Sequence, residues 1–503
     1  MNANTIKKVN ICLCLTAPTI SENLDKARNY VGQAKLVELR FDLLHHSQLT
    51  AVRQFPKECN FPVIFTIRRY KDGGGWTYSE KERWKFLQIA AESSYEYIDI
   101  EADLPENIIK ISDSGPKIIR SYHDYKGTPH SLSFLLVSLP KKSNEIAKLA
   151  VATKSITDVE KIFDAVKRFK QKKIITGMGE YGICTRVLPS VFDSFLTFCS
   201  SGKKIAAPGH VDIVNMIDQY RVDHYMLNQP IYGIIGNPLS HSISPLIHNR
   251  GLKGAELSGM YIPFKVDKLA SFLTLASKLC VAGLSVTVPY KESIISMLNF
   301  SDEIVSAVKA CNTLINRNGY WHGYNTDVEG FLWPLREKKL LHRIKKATVI
   351  GSGGAARAVV WGLREIGIEV LIVNRTIERA KSLSLEMDCR FTGLDSECLE
   401  EKIRNFDDLI VQTTVAGLSS SLNEELDPIR KIPLKGHEII YDIVASPLIT
   451  PLIKRAKNQG CIVIYGIEML LAQAYVQFRL MTSRDFPVKI KMELNQWVKN
   501  SLL

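Results

Sequence analysis

The sequence predicts an α/β protein in which an N-terminal (β/α)8 barrel precedes a dinucleotide-binding fold of parallel strands. Before residue 228, short apolar, β-branched runs recur at the spacing typical of βα units, and eight such units close a parallel barrel. The runs lie near residues 9–15, 36–41, 62–67, 96–101, 117–122, 146–151, 173–178 and 204–207. Segments with helical spacing, such as 80–92 and 157–169, separate most of them. Between 346 and 380, a strand, a glycine turn, a helix and a second strand follow one another.

Two breaks divide the chain into domains. A turn-rich stretch, Leu227-Asn-Gln-Pro230, precedes a new apolar run that begins at Ile231. A charged stretch, Arg336-Glu-Lys-Lys339, precedes the glycine turn. We therefore expect a barrel of the TIM type over residues 1–228, a second region from 229 to 335, and a nucleotide domain that begins at 336.

Composition limits the classes of partner. Of the 503 residues, 46% are hydrophobic, but no apolar run approaches the roughly 18 residues that span a bilayer. We therefore expect no membrane partner and a cytoplasmic location. The net charge of +13 is spread along the chain without a basic block, so nucleic acid is not expected and small anionic substrates fit equally well. The ten cysteines contain no C-x-x-C pair, which predicts reduced thiols and no metal.

Polar side chains cluster at the carboxyl ends of the predicted barrel strands, where barrel active sites lie. Lys148 is the most informative, because burial in an apolar strand favours the neutral amine that can attack a ketone. His123 could then remove a proton beside the resulting imine, with Glu101 orienting its ring. On spacing alone, a solvent-directed lysine at the barrel mouth and a surface histidine are slightly favoured.

Residues 1 to about 225 resemble a type I 3-dehydroquinate dehydratase. The resemblance is carried, in order, by Glu38-Leu-Arg40, Thr66-Ile-Arg68, Ile98-Asp-Ile-Glu101, Ser121-Tyr-His123-Asp-Tyr-Lys-Gly-Thr-Pro129, Lys148-Leu-Ala-Val151 and Ala206-Ala-Pro-Gly209. It implies a covalent Schiff base on Lys148, with His123 as general acid–base and Glu101 as its partner. It also implies four residues that hold the hydroxyls and carboxylate of the substrate: Glu38, Arg40, Arg68 and Arg186.

The chain departs from that family at its substrate lid. Family members usually have Ser before Ala-Pro-Gly and Gln after it, whereas this chain has Ala206 and His210. His210 can still donate a hydrogen bond to the substrate and Ala206 cannot. We therefore expect weaker binding by the lid and unchanged chemistry.

The glycine turn predicts the cofactor. Gly351, Gly353, Gly354 and Ala355 follow a strand at 347–350 and open a helix that runs through Leu363, so a pyrophosphate is expected at the helix N-terminus. The next strand, 368–373, ends in positions where NAD binders place an acid. At these positions this chain has Asn374, Arg375 and Thr376, and Arg379 follows further on. Arginine attracts a 2′-phosphate, so NADP is preferred over NAD; ordinary helix-start charges are the less favoured alternative.

The segments around this fold resemble the shikimate dehydrogenases. They are Gly236 to Pro245, Gly283 to Glu292, Cys311 to Leu314, Gly323 to Asp327, Tyr441 to Val444 and Met469 to Ala474. The resemblance implies a substrate lobe over 229–335 that is completed by 466–503, with a Rossmann NADP lobe over 336–465. It implies Lys291 and Asp327 as the catalytic pair, and Gly466 beside the cofactor. The implied substrate contacts are Ser242, Ser244, Thr287, Asn312, Tyr441 and Gln473.

The implied pair fits ketone reduction, because hydride transfer leaves an alkoxide that Lys291 can protonate while Asp327 holds the ammonium. On their own, Lys291 would be a surface lysine after a proline turn and Asp327 a helix N-cap. Two departures from the family are Val328, where glycine is common, and Gln412, where asparagine is common. We expect a slightly shifted helix start and altered contacts to the cofactor ribose.

The two resemblances predict adjacent reactions, dehydration of 3-dehydroquinate to 3-dehydroshikimate and reduction of that product to shikimate. The expected ligands are these small carboxylated compounds and NADP(H), without a metal. Three alternatives stay open: a quinate dehydrogenase, a chain whose dehydratase half is degenerate, and a metabolite-sensing regulator. The presence of Lys148, His123, Lys291 and Asp327 argues against the regulator.

Overall fold

The computed structural model describes residues 9–202, 208–239, 242–417 and 427–502. The chain forms two compact units: unit 1 comprises Met1–Ile231 and Ser258–Cys280, and unit 2 comprises Tyr232–Leu257 and Val281–Leu503. Among the helices of the described residues, none has the length and apolar character that crossing a bilayer requires.

Unit 1 is built around an eight-stranded parallel sheet in the order β7-β6-β5-β4-β3-β2-β1-β8. Its strands are β1 (Asn10–Leu15), β2 (Leu36–Arg40), β3 (Val63–Thr66), β4 (Tyr97–Glu101), β5 (Lys117–Asp124), β6 (Ile146–Ala152), β7 (Lys173–Met178) and β8 (Leu196–Cys199). Its helices are α1 (Ile20–Arg28), α2 (Phe55–Glu58), α3 (Glu80–Ala91), α4 (Leu132–Ser138), α5 (Ile156–Arg168) and α6 (Ile183–Val187). The predicted barrel is confirmed.

The interior of the barrel is filled by alternate side chains of its strands, including Leu36, Ile64, Ile119, Ile146 and Ile174. Because side chains alternate along a strand, this apolar floor fixes which residues nearer the carboxyl ends also point inward. The helices expected over 80–92 and 157–169 are confirmed, and each begins just after a serine N-cap, Ser79 for α3 and Ser155 for α5.

The expected position of the eighth strand is wrong. We expected it at 204–207, and residues 203–207 lie outside the described part of the chain. The eighth strand is Leu196–Cys199, which pairs with β1. The helix before it, α6, has only five residues, so the last βα unit is shorter than the spacing on which the prediction relied.

In unit 2, five strands of a mixed sheet follow the order β9-β11-β13-β14-β12. They are β9 (Ile231–Gly236), β11 (Val281–Val286), β12 (Phe300–Ser301), β13 (Thr313–Arg317) and β14 (Tyr320–Tyr324), accompanied by α7 (Ser244–Gly254), α9 (Glu303–Val308) and α10 (Asp327–Glu337). The intervening elements β10 (Met260–Lys265) and α8 (Leu269–Lys278) belong to unit 1.

The rest of unit 2 contains a six-stranded parallel sheet in the order β17-β16-β15-β18-β19-β20. Its strands are β15 (Lys346–Ile350), β16 (Glu369–Asn374), β17 (Arg390–Gly393), β18 (Leu409–Gln412), β19 (Ile439–Asp442) and β20 (Ile462–Tyr465). The helices are α11 (Gly354–Glu365), α12 (Ile377–Met387), α13 (Leu399–Arg404), α14 (Pro451–Asn458), α15 (Gly466–Thr482) and α16 (Val488–Leu502). This strand order is that of the Rossmann fold, which binds its ligand where the order reverses, here between β15 and β18.

Candidate active sites

Lys148 lies on β6 inside the barrel and is only 5% exposed. Its Nζ is 2.7 Å from Asp99 Oδ2 and 3.7 Å from Glu38 Oε1, and it lies 4.3 Å from the centre of the Phe198 ring. The alternative of a solvent-directed lysine is therefore wrong. Two carboxylates and an aromatic face hold the ammonium, so forming an imine requires a neighbouring group to accept its proton.

Asp99 is a site residue to which the sequence assigned no role. Its Oδ1 accepts hydrogen bonds from Arg68 Nη2 (2.6 Å) and Ser121 Oγ (2.5 Å), while Oδ2 accepts from Lys148. Burial alone would raise the pKa of Asp99, but Arg68 and Lys148 outweigh it and hold that pKa well below its usual range. Strand alternation could have indicated that Asp99 belongs to the site, because Asp99 and Glu101 lie two residues apart and share one face of β4.

The structure does not show the expected hydrogen bond between Glu101 and His123. Glu101 Oε1 and His123 Nδ1 both lack a hydrogen-bond partner among the described residues, so the pairing stays a prediction. Glu101 accepts a hydrogen bond from Arg83 Nη1 (2.9 Å), and its other oxygen lies 3.2 Å from Arg68 Nη1. Glu101 comes two residues after Asp99 on β4, one layer nearer the strand end, where the fully buried Arg83 of α3 reaches it. The nearby carboxylate whose charge acts on His123 is that of Asp99.

His123 is half-buried and lines the same pocket as Lys148. Burial, together with the positive charges of Arg68 and Lys148, lowers the pKa of His123 well below its usual value. Its Nδ1 is buried and has no hydrogen-bond partner among the described residues. A neutral imidazole with an unused nitrogen can act as a proton acceptor.

The pocket opens to solvent and contains Glu38, Arg40, Arg68, Arg186 and His210 in its wall. Two of the three expected substrate arginines already have carboxylate partners. Arg40 forms a fork with Asp42 (3.0 and 2.7 Å), and Arg68 bonds Asp99.

Arg186 differs from them because its guanidinium has unused donors. Its Nη2 donates to the Pro208 carbonyl (3.2 Å), but Nε and Nη1 are buried without partners in the described part of the chain. Burial lowers the pKa of Arg186 to about 10, which leaves it charged at neutral pH. A buried, charged fork with free donors fits a substrate carboxylate.

Glu38 and His210 complete the pocket wall. Thr66 Oγ1 (2.8 Å) and Cys14 Sγ (3.2 Å) both donate to Glu38 and fix its carboxylate. Burial, with Arg186 as the next cause, lowers the pKa of His210 to about 2, so its ring is neutral. The predicted effect of Ala206 falls on residues outside the described part of the chain.

The second candidate site lies in unit 2 and contains Lys291 and Asp327. Lys291 Nζ is 2.5 Å from Asp327 Oδ2, and Asn312 Nδ2 donates to Asp327 Oδ1 (2.9 Å). Asp327 is the first residue of α10 rather than its N-cap, which is Thr326. The helix begins there despite Val328, which is buried 3.3 Å from the position of a Cβ added at Gly362.

Close packing of α10 on α15 brings Gln473 to this pair. A Cβ added at Gly330 would lie 2.6 Å from Gln473 Cβ, so glycine permits the approach. Asn312 Nδ2 is 2.9 Å from Gln473 Oε1. The structure thus brings together four of the predicted residues, Lys291, Asp327, Asn312 and Gln473.

The remaining predicted substrate residues divide into two groups. The Ser244 amide donates to Ser242 Oγ (3.4 Å) at the start of α7, and Thr287 packs beside Gly236; their contacts to substrate stay predictions. Tyr441 is fully buried and stacks on Phe331 at 5.1 Å, and its hydroxyl has no hydrogen-bond partner among the described residues; its contact to substrate also stays a prediction. On β19 it shares the face of Ile439, which packs in the same apolar core.

The glycine turn lies between β15 and α11, at the carboxyl edge of the sheet. Gly351 has a φ of 120°, a conformation that favours glycine, and Gly353 is the N-cap of α11. A Cβ added at Gly354, next to Ala355, would lie 2.9 Å from Lys291 Cβ. The turn therefore approaches the side chain of the predicted catalytic lysine.

The other predicted cofactor residues surround the same edge. Asn374 Nδ2 donates to the Thr376 carbonyl (2.8 Å), and Arg375 and Arg379 are exposed after β16. At Gly466, the first residue of α15, a Cβ would collide with the Val444 carbonyl.

Gln412 ends β18 beside the glycine turn. Its amide donates to the carbonyls of Thr414 (3.2 Å) and Ala416 (2.8 Å) and so closes its own loop. We expected this residue to alter contacts to the cofactor ribose, and that effect stays a prediction.

Three family models match successive parts of the chain. Residues 11–226 match the family model for type I 3-dehydroquinase, 234–314 that for the shikimate dehydrogenase substrate binding domain, and 335–464 that for shikimate / quinate 5-dehydrogenase. A shikimate dehydrogenase (NADP(+)) of Maridesulfovibrio salexigens is 39% identical over 53% of this chain and 96% of its own length. The shikimate biosynthesis protein AroDE of Chlamydia pneumoniae is 27% identical over 93% of this chain and 94% of its own length.

A relative from Arabidopsis thaliana matches along both halves. It is the chloroplastic bifunctional 3-dehydroquinate dehydratase/shikimate dehydrogenase. The two sequences are 32% identical over an alignment of 511 residues, which covers 95% of this chain and 84% of the relative. At that identity and coverage, the chain belongs to the family of bifunctional 3-dehydroquinate dehydratase/shikimate dehydrogenases.

Proposed function

We propose that the barrel dehydrates 3-dehydroquinate to 3-dehydroshikimate and that the second half reduces this product to shikimate with NADPH. The observation that carries the proposal is the presence of two amine–carboxylate pairs, the buried pair of Lys148 with Asp99 and the part-buried pair of Lys291 with Asp327. Each pair lies beside groups that suit a carboxylated, hydroxylated ring. The two pairs and their neighbouring groups favour a bifunctional enzyme over a regulator that binds the same compounds.

In the barrel, Lys148 attacks the ketone after passing a proton to a neighbouring base, and loss of water gives a protonated imine. The cationic imine draws electrons from the adjacent carbon, so His123, neutral because burial lowers its pKa, removes a proton there. The substrate hydroxyl then leaves as water with a proton returned by His123. Hydrolysis of the imine releases the enone and restores the amine of Lys148.

Substrate orientation in the barrel is assigned chiefly to Arg186. Its Nε and Nη1 are the unused donors that can form a fork with the substrate carboxylate. Arg40 and Arg68 are each neutralised by a carboxylate, Asp42 and Asp99, so the positive charge of the wall that is free for an anion is that of Arg186. The positive wall also favours an anionic substrate over a neutral one.

In the second half, NADPH supplies a hydride when it is bound. The residues fit a dinucleotide. Apart from its neighbours in the chain, no atom of the described residues lies within 4 Å of a Cβ added at Gly353, so the N-terminus of α11 has room there for a pyrophosphate. Lys291 donates its proton to the oxygen that becomes an alkoxide, and Asp327 holds the ammonium in place. Arg375 and Arg379 are assigned to a 2′-phosphate, which makes NADPH the preferred cofactor.

A combined assay tests the proposal. The enzyme is given dehydroquinate and NADPH together, and both the oxidation of the nicotinamide and the release of shikimate are followed. Borohydride added with dehydroquinate alone should fix an adduct on the Lys148 peptide, as read by mass spectrometry. An unmodified Lys148 peptide in enzyme that still turns over would refute the imine; quinate oxidation faster than shikimate oxidation would favour a quinate dehydrogenase.

A further inference from the structure

A chain of buried hydrogen bonds in unit 2 leads from Ser285 to the carboxylate of Asp327. Ser285 Oγ donates to Gln477 Oε1 (2.8 Å), and Gln477 Nε2 donates to Thr313 Oγ1 (3.0 Å). Thr313 Oγ1 then donates to Asn312 Oδ1 (2.9 Å), and Asn312 Nδ2 donates to Asp327 Oδ1 (2.9 Å). The other oxygen of that carboxylate holds Lys291.

The direction of these bonds is set by Gln477. An amide nitrogen can only donate, so the Thr313 hydroxyl that receives its hydrogen bond is left to direct its own proton towards Asn312 Oδ1. The Thr326 amide also donates to that oxygen (2.8 Å). With its oxygen engaged on one side, Asn312 presents its NH2 group to Asp327; the reversed amide would place an oxygen against the carboxylate.

Gln477 is well placed for this task and poorly placed for contact with substrate. It lies on α15, one turn after Gln473, and is 2% exposed. Its Nε2 also donates to the Asn312 carbonyl (3.1 Å), and His248 of α7 forms a further hydrogen bond to it. A single side chain thus joins α15 to α7, to β11 and to the segment that begins β13.

We propose that Gln477 is a positioning residue for the dehydrogenase reaction. Through Thr313 it fixes the orientation of the Asn312 amide, and Asn312 in turn fixes the carboxylate that holds the Lys291 ammonium. The proposal rests on the proposed roles of Lys291 and Asp327 and adds the buried relay that orients them.

The first test is Gln477→Met, which keeps the length of the side chain and removes its hydrogen bonds. We expect kcat for dehydroshikimate reduction to fall about tenfold or more, because small displacements of reacting groups have effects of this size. Dehydratase activity of the same chain and NADPH binding, measured by fluorescence titration, should be unchanged. An unaltered kcat in this variant would overturn the proposal.

Thr313 supplies a matched pair of variants that does not depend on tolerance at Gln477. Thr313→Ser keeps the relaying hydroxyl and should stay within about twofold of the original kcat, while Thr313→Val should match Gln477→Met. The double variant should be little worse than either single one, because both interrupt one relay. If Gln477→Met no longer binds NADPH, this pair decides: equal kcat values for the serine and valine variants would refute the relay.

Lys291→Ala and Asp327→Asn, assayed in parallel, separate this inference from the proposed function. If these two retain full turnover, the assigned pair is incorrect and the relay fails with it. If they lose turnover while Gln477→Met and Thr313→Val keep it, only the positioning role is refuted.

Discussion

The two lysines differ in how their surroundings use hydrogen-bonding capacity. The side chain of Lys148 is 6% exposed and faces two carboxylates, whereas that of Lys291 is 16% exposed and is held by Asp327. Around Lys148, buried nitrogens of His123, Arg186 and His210 have no partner within the described residues. Around Asp327, the hydrogen bonds run from one protein group to the next.

The difference fits the two chemistries that we propose. A covalent site must take a proton from its amine and hold a substrate in several steps, so donors and acceptors are left ready for the substrate. A site for hydride transfer needs an ammonium that keeps its proton until the alkoxide forms, and a closed network around the carboxylate provides that. Arginine substitutions should therefore affect the two lysines unequally.

Lys148→Arg should have the largest effect, because arginine keeps the positive charge but cannot form the imine. We expect dehydratase kcat to fall by at least about a thousandfold, as for loss of a covalent nucleophile. The absorbance of the conjugated product measures it. Shikimate oxidation by the same preparation serves as the control, and residual dehydratase activity above a few per cent would contradict the covalent role.

Lys291→Ala should reduce dehydrogenase kcat by about a hundredfold or more, the range for loss of a general acid. The KM for dehydroshikimate should change little, since the proton moves only in the transition state. Lys291→Arg keeps a charge beside Asp327 and should fall between the alanine variant and the original enzyme. A raised KM with unchanged kcat would show that Lys291 binds substrate and does not protonate it.

Particular residues show which features of the fold and of the candidate sites the sequence predicts. Strand spacing and the glycine turn predicted both folds, because they depend on local patterns of apolar residues and glycine. The position of β8 was missed because α6 is short. Asp99 and Glu101 have the same strand pattern, and only their neighbours in space, Lys148 for one and Arg83 for the other, separate them.

Contacts between distant segments limit what a sequence can predict. Tyr441 matched a family segment, but the register of β19 turns it into the core. The Gln477 relay joins residues 164 and 192 positions apart, and glutamine in a helix carries no signal of such a role. These features depend on which side chains meet after packing, which local patterns do not record.

A pair of isosteric variants sharpens the assignment of the carboxylates on β4. Asp99→Asn should lower dehydratase kcat by about ten- to a hundredfold, because it removes the charge that holds Lys148 and acts on His123. Glu101→Gln should act mainly on stability, by about 3 kcal/mol, since it leaves the buried Arg83 with a weaker partner. Kinetics and chemical denaturation of both variants measure the difference, and equal losses of kcat would favour Glu101 as the partner of His123.

The smallest effect concerns pH. Burial, Arg68 and Lys148 lower the pKa of His123, so the group binds its proton only at pH values well below about 6.5, the ordinary value for histidine. A base with a lowered pKa stays active as the pH falls through that value, and kcat/KM for dehydration should therefore change less than about twofold between pH 8 and pH 6.5. The profile of kcat/KM against pH reports the free enzyme and provides the measurement. An acidic limb centred at 6.5 or above would mean that His123 is hydrated and charged like a surface histidine. The barrel site would then lack the neutral imidazole that accepts the substrate proton beside Lys148.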